Sequence, residues 1–165
     1  MTLINTVSAG TTTYCNEILK NAPYKAVTPA NVTDSGLLIV FKPETETFAF
    51  DLAVENGVCT GVTTVGSRDN ASGVWNIAYT CNCDAITVLT SDTSIAGNQV
   101  FVGTNGRATT TVPTVNSYIV GIVRSKIKTT TLCDGTTSNC FDVELSKQSI
   151  PFVVAPALKI SKKVI

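Results

Sequence analysis

Histidine is absent from the 165 residues, which excludes a Ser-His-Asp triad, a Cys-His dyad and any histidine-ligated metal. Charge is scarce. Asp, Glu, Lys and Arg make up 15% of the chain, against roughly 25% in an average soluble protein. The 12 basic and 12 acidic residues cancel, so there is no general basic field for nucleic acid or a membrane surface. Long apolar runs are missing too. The longest, Leu37-Leu38-Ile39-Val40-Phe41, is far short of the ~20 residues that a membrane span requires. The opening Met1-Thr2-Leu3-Ile4-Asn5-Thr6 has neither a basic n-region nor an apolar h-region, so no signal peptide is expected there. Phosphate-binding loops are lacking as well: Gly61, Gly66 and Gly73 fall between strand-like runs, and neither the Rossmann pattern nor Gly-Lys-Ser/Thr occurs. No Asp-rich loop of the EF-hand type is present.

What the chain does have is β-branched side chains. Thr, Val and Ile together are about a third of it, while the helix formers Leu, Glu and Lys are sparse. Strand-like runs recur at residues 36–42, 47–54, 58–65, 73–81, 84–90, 99–104, 107–112, 117–124, 126–132, 141–145 and 150–154. In 47–54, Phe48, Phe50, Leu52 and Val54 fall on one face with a period of two. Two Asn-Gly pairs, Asn56-Gly57 and Asn105-Gly106, are hairpin signals, because Asn and Gly take positive φ at low cost. Residues 66–72 read as a polar loop. Residues 14–20 read as a short helical stretch, with Tyr14, Ile18 and Leu19 on one face, and Pro23 and Pro29 interrupt regular structure after it. The expected fold is all-β, an antiparallel β-sandwich or β-barrel of about ten short strands. Its divisions are an N-terminal segment or arm (1–35), the β-domain (36–155) and an extended C-terminal tail (156–165) that either leaves to pair with a neighbour or forms a last, lysine-guarded edge strand.

Six cysteines allow 15 pairings. Cys133 and Cys140 bracket a turn-rich hexapeptide between two strand-like runs, which makes them a candidate disulfide across a hairpin mouth. Cys81 and Cys83 fall on the same face of a strand, so each is expected to have a different partner. Two other readings stay open: free buried thiols, and a zinc site of Cys81, Cys83, Cys133 and Cys140, whose spacing is irregular for a knuckle. Asp142 and Glu144 alternate with Val143 and Leu145, which marks a strand's outer face rather than a pair of glycosidase carboxylates. The sequons at Asn31 and Asn70 are expected to be chance matches in a chain rich in Asn and Thr. No catalytic residue, cofactor or metal is expected.

From Ile95 to Leu145 the order of motifs is suggestive. Ala96-Gly97-Asn98 leads into the strand Gln99-Val100-Phe101-Val102, and Asn105-Gly106 turns it back. Tyr118-Ile119-Val120-Gly121-Ile122-Val123 follows, and Phe141-Asp142-Val143-Glu144-Leu145 closes the unit. This stretch, about a third of the chain, resembles the small β-barrel capsid-decoration and head-fibre proteins of tailed phages. The resemblance implies a non-enzymatic virion protein that is assembled in the host cytoplasm and sits on the particle surface. It would be a homo-oligomer, a trimer by preference, bound to the major capsid protein or other virion subunits. Phe152, Val153, Leu158 and Ile160 are the candidate assembly contacts, through which a terminal strand would add to a neighbour. One alternative is a self-assembling subunit of an extracellular filament or phage tail tube. Another is a carbohydrate- or receptor-binding β-module using Trp75, Tyr79 and Tyr118, although these read more naturally as core or half-buried strand residues.

Overall fold

The computed structural model describes residues 9–10, 12–15, 22–26, 34–42, 49–69, 74–79, 83–132 and 134–155. Among them are twelve strands and no α-helix. Seven strands form one sheet: β1 (Thr12–Cys15), β7 (Cys83–Thr90), β8 (Gln99–Val102), β9 (Ala108–Thr109), β10 (Ser117–Val123), β11 (Lys128–Thr131) and β12 (Thr137–Phe152). Their spatial order is β1-β7-β9-β8-β10-β12-β11, and a further pairing of β7 with β12 curls the sheet round on itself. The other five, β2 (Ala22–Ala26), β3 (Leu38–Lys42), β4 (Ala49–Leu52), β5 (Gly61–Asp69) and β6 (Val74–Tyr79), close into a small barrel in the order β2-β4-β3-β5-β6. The expected all-β class holds. Its antiparallel character has two exceptions, the parallel pairs β2–β4 and β7–β9. Parity explains them: a ring of five strands cannot alternate direction all the way round, so each ring carries one parallel pair.

The Asn105-Gly106 hairpin forms as the sequence suggests. Asn105 has φ 55° and Gly106 φ 70°, the positive values that both centre residues of a type I′ turn require. Gly103 N–H donates to the Arg107 carbonyl at 2.7 Å, and Phe101 and Val102 pair with Thr109 and Ala108. The hairpin tip also packs on the barrel, since a Cβ on Gly106 would stand 2.9 Å from the Leu52 Cδ2.

Elsewhere the local pattern misleads. Asn56 does turn the chain (φ 62°), with Gly57 N–H bonded to the Val54 carbonyl at 2.8 Å, but no hairpin follows. β4 and β5 each pair with β3, which lies between them, so the turn belongs to a crossing rather than a hairpin. Residues 66–69, read as loop, extend β5. Of the stretch 14–20 read as helical, the described residues Tyr14 and Cys15 instead end strand β1, held by Thr12–Ile86 and Cys15–Cys83 register on β7. Pro23 sits within β2, opposite Asn76 of β6 and before the β4 register begins at Lys25, a position where a missing N–H is tolerated. The runs 141–145 and 150–154 belong largely to one strand, β12. Its register against β10 jumps from Ile119–Ile150 to Gly121–Leu145, so residues 146–149 stand against Val120 alone. The span 1–35 therefore contributes strands to both sheets, and 156–165 lies outside the described residues.

The core is shared between the two sheets. Leu38, Cys59 and Val62 from the barrel side join Val88, Val100 and Phe141 of the seven-stranded sheet in one cluster. Backbone bonds stitch the layers together: Leu89 N–H donates to the Gly36 carbonyl at 2.8 Å, and Asn56 N–H to the Val102 carbonyl at 3.0 Å. The jog at 146–149 contributes Ser149, whose Oγ accepts from Cys59 N–H at 3.0 Å and donates to the Cys59 carbonyl at 3.2 Å.

Candidate functional site

A cleft of about 370 Å³ opens beside the Asn56 turn, between the β8–β9 hairpin and the loop that follows β9. Its walls include Glu55, Asp92, Arg107, Thr109, Val112 and Val115. Asp92 is its most engaged side chain. Its Oδ1 accepts from Thr109 Oγ1 at 2.8 Å, and its Oδ2 accepts from Thr110 N–H and Thr110 Oγ1, both at 2.7 Å. The Asp92 backbone is fixed as well: its N–H donates to Thr90 Oγ1 at 3.0 Å, and its carbonyl accepts from Asn139 Nδ2 at 2.9 Å. Arg107 Nη1 donates to Ser138 Oγ at 2.6 Å. The Asp92 bonds fasten loop 91–98 to the end of β9 and to β12, and the Arg107 bond ties the hairpin to β12, so the polar wall works as structural glue. Removing the carboxylate in Asp92→Ala leaves two hydroxyls and one N–H without their acceptor. A loss of about 2–3 kcal/mol is expected in urea unfolding, with part of it recovered in Asp92→Asn. A loss below ~0.5 kcal/mol would refute this role for Asp92.

Two exposed valines stand among the polar residues that line the cleft. Val112 and Val115 are 55% and 53% exposed. The end of β12 lies near them, because Ser117 pairs with Phe152 and Val154 N–H donates to Asn116 Oδ1 at 2.9 Å. There Val153 is 70% exposed. Phe152 is turned the other way. It is half-buried, and its ring meets the edge of Phe101 at 5.2 Å between centroids and 75° between planes. Leu158 and Ile160 lie outside the described residues. Sequence reasoning passed over Val112 and Val115, because it read Val112 as the end of the strand run 107–112, whereas β9 ends at Thr109. Of the aromatic candidates, Tyr118 is half-buried on β10, while the side chains of Trp75 and Tyr79 lie outside the described set.

The candidate Cys133–Cys140 bridge is not seen: Cys140 is a free, buried thiol. The β11–β12 register accounts for this. The turn is tighter than a 133–140 bridge needs, with Thr131 opposite Thr137, so Cys140 stands opposite Lys128. Asp134 makes that turn compact, accepting from Thr136 N–H at 2.9 Å and Thr136 Oγ1 at 2.6 Å, and these bonds hold its carboxyl below its ordinary value. Burial raises the Cys140 thiol, against the pull of the Lys128 ammonium. Cys133, Cys81, Asn31 and Asn70 lie outside the described residues.

Cys59 is the other free thiol in the described set, and it is fully buried. Desolvation raises it from 9.0 to about 12, and its Sγ donates to the Gly61 carbonyl at 3.2 Å. Between pH 9 and 12 the unfolded chain thus holds fewer protons than the folded one, and stability falls as pH rises. This group contributes a decline of about 1.4 kcal/mol per pH unit in that window, and none below it. Urea midpoints measured across the window should show the decline in the wild type and a flatter line in Cys59→Ala. Equal slopes in the two would refute the assignment.

Two carboxylates of β12 are also tied into the sheet. Asp142 accepts from Thr87 Oγ1 at 2.7 Å and from Lys128 Nζ at 2.6 Å, and Glu144 pairs with Arg124. The expected alternation holds, with Phe141, Val143 and Leu145 buried and Asp142 and Glu144 half-buried between them. Together these features describe an all-β protein whose well-placed polar side chains in the described set hold strands and loops together. No protein-family model, curated protein or solved structure matches the chain.

Proposed function

We propose that this protein is a structural virion protein of the capsid-decoration type, which binds and stabilises a capsid surface and self-associates there. The observation that carries the reading is apolar exposure at the cleft and at the end of β12, where Val112, Val115 and Val153 are all more than half exposed. Such a surface is expensive to leave in water and suits burial against another subunit. The employment of Asp92, Asp142 and Glu144 in internal bonds supports the same reading, because it leaves them as scaffold. The low and balanced charge suits dense packing of many copies.

Light scattering at several concentrations, with and without reductant, tests this reading. The expected result is a closed oligomer whose mass is independent of concentration. Val115→Asp combined with Val153→Asp should weaken its association at least tenfold while leaving the far-ultraviolet spectrum unchanged. Open-ended growth would replace the reading with the filament or tail-tube subunit. A strict monomer at every concentration would overturn self-association and favour the receptor-binding module.

A further inference from the structure

We propose that Cys15 and Cys83 form a disulfide that clasps the chain where it leaves the seven-stranded sheet and where it returns. The two are direct partners in the antiparallel β1–β7 register. Cys15 is the last residue of β1 and Cys83 the first of β7. Between them the chain builds β2 to β6, the whole five-stranded barrel. The barrel is thus an insertion between two adjacent strands, and these cysteines are its two gateposts.

Directly opposed residues of an antiparallel pair stand on the same face, with Cα atoms roughly 4.5 or 5.5 Å apart depending on the site type. Both values lie inside the window of roughly 4.4–6.8 Å that a disulfide spans. The pairing leaves aside Cys59 and Cys140, which are free and buried. It also suits the place. β1 is a four-residue edge strand, and beyond it Gly10 N–H continues the attachment to the Thr87 carbonyl at 2.6 Å. A covalent link at Cys15 secures the end of this strand that faces the barrel.

The bond forms by thiol–disulfide exchange with a small-molecule disulfide such as oxidised glutathione. One cysteine thiolate attacks a glutathione sulfur, breaking its S–S bond and releasing one glutathione thiolate. The second cysteine thiolate then attacks the mixed disulfide, forming the Cys15–Cys83 bond and releasing the other glutathione. The two protons lost by the cysteines end on the two glutathione thiols, and glutathione disulfide takes up the two electrons.

The test is peptide mapping of the full wild-type chain after incubation with oxidised glutathione, followed by alkylation of free thiols. The expected product joins the tryptic peptide ending at Lys20 to the one ending at Arg107, with fragmentation assigning the link to Cys83 rather than Cys81. Oxidation should raise Tm by roughly 10 °C, because the bond closes a long loop. Cys15→Ser and Cys83→Ser should each abolish both link and shift, and Cys81→Ser should abolish neither. Full alkylation of Cys15 and Cys83 after oxidation, or a link from Cys15 to Cys81, would overturn the proposal. The mapping needs no variant, so a failure of any variant to fold does not blunt it, and it is independent of whether the protein decorates a capsid.

Discussion

Phe101→Ala is expected to lower stability by about 3–5 kcal/mol. Phe101 is fully buried on β8 and is one of the largest fully buried side chains in the core. Truncation removes the ring's transfer free energy and leaves a cavity that sheets locked on both sides cannot collapse to fill. It also removes the surface on which the Phe152 ring rests. Against a total of roughly 5–15 kcal/mol for a domain, such a loss is large. Urea unfolding followed by circular dichroism should show a strongly reduced midpoint with an unchanged slope. Phe152→Ala should cost less, because its ring is half-buried. A double-mutant cycle between the two should give a coupling of about 0.5–1.5 kcal/mol. Zero coupling would mean that Phe152 does not use Phe101 as its seat, and would return it to the set of surface contacts.

Gly121→Ala is expected to cost about 3 kcal/mol, a large figure for one methyl group. Gly121 lies mid-sheet, paired with Val100 on one side and Leu145 on the other. A Cβ there would collide with the Glu144 carbonyl oxygen and come within 2.6 Å of Val143 Cγ1. The first is backbone, so relief requires β10 and β12 to separate where the register jumps. Gly97→Ala is the control: its Cβ would meet only the Thr110 carbonyl, at 3.7 Å, an ordinary contact. Equal stability of the two variants in a thermal melt would show that the β10–β12 approach is looser than described.

The parts of the fold that were legible in the sequence are the local ones. The Asn105-Gly106 turn and the alternation around Val143 are written in a few adjacent residues, and both appear as expected. Features that depend on distant partners were not legible. β1 becomes a strand because β7 offers it a ladder some seventy residues later, and nothing near Tyr14 announces that ladder. Glu55-Asn56-Gly57 is a good turn in any context, but whether it makes a hairpin depends on β3 occupying the place between β4 and β5. The same holds at the site. Val153 could be read as exposed, whereas the inward rotation of Phe152 depends on Phe101, and the part played by Asp92 depends on Thr109 and Thr110. The Cys133–Cys140 pairing failed on register, which the tight Asp134 turn sets.

The placement of β12 has a consequence for synthesis on the ribosome. Asp142 meets Thr87 across 55 residues, and Ser149 meets the backbone of Cys59 across 90. At roughly 5–20 residues per second, β7 waits about 3–11 seconds after its own translation before the strand that covers one of its edges is made. Throughout that interval the buried Ile86 and Val88 lack Val143 and Phe141, the residues paired with them in the finished sheet. Topologies of this kind fold slowly because loop closure precedes reward. A nascent chain halted between residues 90 and 137 would therefore present an open β7 edge, and recombinant yield should depend on translation speed and chaperone supply more steeply than on the stability of the finished protein.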